Sequence, residues 1–94
     1  MVFITQDGLK AIAPEEIQFY FIKTGSELNT LMAKPKNCDP SSPYQVLKMF
    51  EDENLETVKK VMLFLTRAKN LVPYQSLVKI TVEELNEFGL GQLD

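Results

Sequence analysis

The sequence predicts an all-α fold: one small domain of about five short helices packed around a long amphipathic helix at residues 54–71. Three observations predict it. In NLETVKKVMLFLTRAKNL, Val58, Val61, Met62, Leu65, Ala68 and Val72 gather on one side when wound at roughly 100° per residue. Glu56, Lys59, Lys60, Thr66, Arg67 and Asn70 take the other side, with Leu63 among them. Capping signals (proline or Ser/Thr followed by acids or Gln) stand ahead of several apolar clusters, and Gly or Pro follows them.

In chain order, Thr5 or Asp7 is expected to cap a short helix carrying Leu9 and Ile12. Ala13-Pro14-Glu15-Glu16 is expected to open a second, because proline is preorganised at the first helical position and acids favour the positive end of the helix dipole. That helix would carry Ile17, Tyr20 and Phe21 to a stop at Gly25. Ser26 would cap a short helix with Leu28, Leu31 and Met32, ending near Pro35. Residues 35–42 are expected to form a flexible loop. Ser42-Pro43-Tyr44-Gln45 reads as a capping box opening a helix with Val46, Leu47 and Phe50. Asn54 then caps the long helix, closed by Pro73. Thr81-Val82-Glu83-Glu84 opens a last helix with Leu85 and Phe88, stopped by Gly89, and 90–94 forms a loose tail. The expected core is Ile17, Tyr20, Phe21, Leu28, Leu31, Val46, Leu47, Phe50, Val58, Val61, Met62, Leu65 and Leu85.

Two segments leave an alternative open. Ile17–Lys23 (IQFYFIK) and 76–82 (SLVKITV) are rich in aromatic and β-branched residues. If they were strands together with residues 2–4, the fold would be α+β with a small sheet. Pro43-Tyr44-Gln45 also recurs as Pro73-Tyr74-Gln75, a spacing compatible with a degenerate helical repeat. Similarity between capped amphipathic helices explains it more simply.

Phe50-Glu51, Asn54-Leu55, Val58, Leu65 and Arg67 resemble the closing part of calponin-homology domains, and Lys23-Thr24-Gly25-Ser26-Glu27-Leu28 resembles their glycine turn. That resemblance implies a helical fold. It covers only part of the chain, and a proline-rich loop stands where the family's intervening helices would lie, so the chain is not assigned to it.

Composition bounds the function. Ninety-four residues fit one domain spanning 1–94, with 45% apolar and 24% charged residues. The absence of histidine removes the usual neutral-pH general base and the imidazole metal ligands. The single Cys38 permits neither an internal disulfide nor a paired-cysteine metal site. No cofactor and no metal are expected, and no enzymatic activity. Glu51-Asp52-Glu53 lacks the alternating ligands and glycine of a calcium loop and reads as a turn ahead of a helix. The start of the chain lacks a signal peptide's pattern and no apolar run is of spanning length, so a cytoplasmic location is expected.

The expected function is a non-catalytic protein-interaction or regulatory module whose partner is another protein or a second copy. Leu63 and Phe64, ringed by Lys60 and Arg67, would form its contact: an apolar anchor inside a charged rim. On that reading Leu63→Glu spares folding and abolishes association. The alternative is a small nucleic-acid-binding regulator using Lys59, Lys60, Arg67 and Lys69. The net charge of −3 opposes it.

Overall fold

Strands dominate this chain. The computed structural model describes residues 1–36 and 46–93. Within them are six strands in two three-stranded sheets and three α-helices, so the all-α expectation is corrected to α+β. Strand β1 (Val2–Ile4) lies between β2 (Ala11–Ile12), antiparallel, and β6 (Leu77–Lys79), parallel. The other sheet is an antiparallel meander of β3 (Ile17–Lys23), β4 (Asn29–Pro35) and β5 (Leu47–Asp52). The α+β alternative placed its strands correctly at 2–4 and within 17–23 and 76–82, but expected one sheet and missed β4 and β5.

Each missed helix has a local reason. Asp7 does not cap a helix. Its carboxylate accepts from the Leu9 N–H (3.0 Å) and from the Thr5 hydroxyl (2.6 Å), and Gly8 takes φ +78°, which closes the β1–β2 hairpin. The Thr5 and Leu9 donors hold the Asp7 carboxyl below the usual range. Pro14–Glu16 form a single 3₁₀ turn, and Ile17 then goes extended. From Ile17 onward the side chains alternate: Tyr20 and Ile22 pack against the core, whereas Phe19, Phe21 and Lys23 point to the other face. A β-rich run with apolar groups on both faces suits a pleated sheet better than a helix. Gly25 belongs to the β3–β4 turn, where a Cβ would lie 2.5 Å from the Leu28 carbonyl oxygen. The expected capping box at 42–45, the first copy of the repeat, Cys38 and most of the expected loop lie outside the described residues. Phe50-Glu51 sits in β5, so the helical context of the calponin-homology resemblance is lost.

The long helix is two. Asn54 caps α1 (Leu55–Thr66), its side-chain oxygen accepting from the Glu56 N–H at 2.9 Å. The acidic turn before it is internally bonded, the Asp52 carboxylate accepting from the Asn54 N–H. At Arg67 the backbone leaves helical values, and α2 (Ala68–Leu71) follows as a separate turn. Thr81 caps α3 (Val82–Asn86), its hydroxyl accepting from the Glu84 N–H at 3.3 Å. Glu84 reaches back to the Lys79 N–H (2.7 Å), so the cap also ties α3 to β6.

Helix α1 lies across one face of the meander and buries Val58, Val61, Phe64 and Leu65. They meet Leu31, Ala33 and Phe50 from the sheet in a core completed by Phe3 and Val78 of the smaller sheet and by Ile80 just after β6. A fully buried side chain of this size contributes roughly 1.5–3 kcal/mol. Of the expected core, Ile17, Leu31, Phe50, Val58, Val61, Leu65 and Leu85 are buried; Leu28 is exposed. In the expected loose tail, Leu90 is buried and Leu93 packs against the core.

Gln6 joins the two sheets. Its backbone N–H donates to the Met49 carbonyl (3.0 Å). Its side-chain amide accepts from the Glu51 N–H (2.8 Å) and donates to the Glu51 carbonyl (3.1 Å). A single residue thus satisfies the outer edge of β5 where β5 bulges.

Candidate functional site

The meander buries one face, and among the described residues no helix or strand covers the other. With α1 on the inner face, the outer face carries Phe19, Phe21 and Lys23 of β3, Thr30, Met32 and Lys34 of β4, and Lys48 of β5. Cross-strand pairing sets Phe19 beside Lys34, Phe21 beside Met32, and Met32 beside Lys48. The Phe19 and Phe21 rings lie 5.8 Å apart and tilted by 45°, and the Lys34 ammonium sits 5.9 Å from the Phe19 centroid. Phe19 is 45% exposed, and neither Phe21 nor Met32 packs against the core. The centre is apolar and its rim holds Lys23, Lys34, Lys48 and Glu51, the last opposite Thr30 and tied to Lys48 at 3.3 Å.

A groove of about 480 Å³ runs beside β3, between the strand and the end of α1. Ile17, Phe19 and Tyr20 line one wall, Leu65 and Ala68 the other, with Lys69 at its end. Tyr20 carries an unpartnered hydroxyl among the described residues, buried beneath this groove. Burial pushes its pKa up to about 12, because the phenolate would lose its water.

The expected contact residues do not form one patch. Phe64 is fully buried in the core and cannot be an exposed anchor, a correction that follows from where α1 meets the sheet. Leu63 is half-buried and shares a shallow cavity of about 250 Å³ with Glu56, Lys59, Lys60 and Leu93. Its stray position on the charged face is therefore met by the C-terminal segment. Arg67 stands exposed at the helix break. The basic set is divided as well. Lys59 pairs with Glu56 (3.5 Å), and Lys59 and Lys60 line the Leu63 cavity. Lys69 instead lines the groove beside β3 and a second depression with Met1, Glu15 and Tyr74.

Phe19, Met32 and Lys34 were not expected at a site, and Phe21 was expected in the core, whereas the pleat turns it to the outer face. A signal existed: in IQFYFIK every position from 19 to 22 is apolar, so whichever face a strand buries, two large apolar side chains remain on the other. Among the described residues no helix is long and apolar enough to cross a membrane. No family model matches the chain, and comparison with curated proteins and with solved structures finds no match.

Proposed function

We propose that this chain is a non-catalytic protein-interaction module that contacts its partner through the outer face of the β3–β4–β5 sheet. The observation that carries the reading is the adjacent Phe19, Phe21 and Met32 on a face that no described helix or strand covers. Aromatic residues and methionine at the centre with charges at the rim match the composition of protein contact surfaces. The lysines favour a partner with acidic groups around its own apolar centre. Aromatic rings beside lysines can also stack bases. A chain of net charge −3, with Lys48 already paired, supports a protein partner over a polyanion.

The test is affinity capture from the source cell with the natural chain and with a Phe19→Lys/Phe21→Lys variant, followed by rebinding of the purified captured protein. The expected result is a protein that binds the natural chain and loses at least tenfold in affinity with the variant, in a manner only weakly sensitive to salt. Binding indifferent to both substitutions sinks the reading. So does binding to a single-stranded oligonucleotide that falls steeply with added salt.

A further inference from the structure

We infer that the chain forms a two-fold dimer in which β3 pairs antiparallel with β3 of a second copy, joining two meanders into one six-stranded sheet. The inference rests on the reading of the outer face as a contact surface and deepens it, because edge pairing would place two such faces side by side.

The four sheet edges differ in how they are protected. Unpaired edges template association unless they are short, charged, bulged or covered. Strand β2 has two residues and β6 three, too short to template much. The free edge of β5 is bulged and taken by Gln6 through its backbone and both ends of its amide. Strand β3 has seven residues, and no described strand pairs with its outer edge. Its only irregularity is a bulge at its start, between Ile17 and Phe19. Beyond that, Phe19-Tyr20-Phe21-Ile22 presents four consecutive apolar residues without a proline or a charge.

The occupant is set by charge. Glu15 and Glu16 precede β3 at one end and Lys23 closes it at the other, all three exposed. Such a strand complements itself only when antiparallel, because each copy's lysine end then lies beside the other copy's glutamate end, with Lys23 one and two residues from Glu16 and Glu15 across the seam. A two-fold axis at Tyr20 keeps outer residues opposite outer residues. Phe19 of each copy then faces Phe21 of the other, adding two aromatic cross-strand pairs to the open face. Parallel pairing would set Lys23 against Lys23 and the glutamates against one another.

The test uses light scattering and sedimentation on the full chain at on the order of 100 µM, well above the dissociation constant of a modest interface. The natural chain should run as a dimer. Phe19→Lys should run as a monomer with its circular dichroism and melting cooperativity retained, since Phe19 is partly exposed and outside the core. Lys23→Glu alone and Glu15→Lys/Glu16→Lys alone should each weaken dimerisation by roughly tenfold, since like charges would then crowd together at both ends of the seam. Mixed in equal amounts, those two variants should form a heterodimer, because both ends are then complementary again. A monomeric natural chain overturns the inference, as does a Phe19→Lys variant that is folded and still dimeric. Failure of the mixture to restore pairing overturns the antiparallel arrangement. A monomer that still loses its captured partner on Phe19→Lys/Phe21→Lys overturns the dimer alone. A dimer that captures nothing overturns the proposed function alone.

Discussion

Phe64 and Leu63 are neighbours in the chain and opposites in the fold. One helical step of about 100° turns Phe64 into the sheet and Leu63 toward the C-terminal segment. Phe64→Ala should cost about 3–5 kcal/mol, a large part of the stability of a domain this size. Leu63→Ala should cost less than half of that, because Leu63 is only half-buried. Urea titrations of the two variants check the order, and a larger loss at Leu63 would show that the Leu93 cavity is core. Tyr20 offers the reverse case. Its buried hydroxyl has no described partner, so Tyr20→Phe should be neutral or stabilise by up to about 1 kcal/mol. Its raised pKa also couples stability to pH. The folded state holds the proton more tightly than the unfolded one, so the contribution is whole below about pH 10. It is lost as pH rises through about 12. Tyr20→Phe should remove that alkaline loss, read as melting temperature against pH for the two chains.

At the scale of elements, the joint between the sheets is more informative than either sheet. A three-residue β1 with its two short neighbours has little stability of its own. Gln6 fastens it to β5 with three hydrogen bonds, two of them to Glu51. Gln6→Glu keeps the shape but replaces the amide donor with a carboxylate aimed at the Glu51 carbonyl. It should cost about 1–3 kcal/mol, the range for a lost bond with a group left unsatisfied. Hydrogen exchange should locate the loss, with amides of β5 and the β1–β2 hairpin exchanging faster while those of α1 hold. Uniform acceleration would mean that the two sheets unfold as one unit and that Gln6 is not a joint. Two of the expected caps were legible in advance, whereas those expected at Thr5 or Asp7, Pro14 and Ser26 open no α-helix. Asn54 and Thr81 start helices where their side chains predicted, because a cap is satisfied by N–H groups two or three residues away.

For the molecule as a whole, the fold places its largest apolar excess on one strand. Strand β3 supplies Ile17, Tyr20 and Ile22 to the inside, Phe19 and Phe21 to the outside, and an edge that no described strand pairs with. A dimer through that edge would make the melting temperature rise with protein concentration, the whole-molecule counterpart of the mixing experiment. The sequence by itself determined what is settled within a few residues: the helix starts at Asn54 and Thr81, the turn at Gly89, and the apolar stripe of α1. It also determined what the composition excludes, above all chemistry that needs histidine. Tertiary structure decided the rest. Pro14-Glu15-Glu16 is an equally good opening for a helix and for a 3₁₀ turn. Only β4, lying alongside, made residues 17–23 a strand by pairing their backbone groups. The same holds for 29–35 and 47–52, whose apolar residues fit a short helix or a strand until their neighbours are known. The surface followed the fold: Leu63 is half-buried beside Leu93 of the C-terminal segment, and Phe19 is left exposed because α1 packs on the other face of the sheet. Which side of a strand is left open is set by what packs on the opposite side, and that partner is distant in sequence.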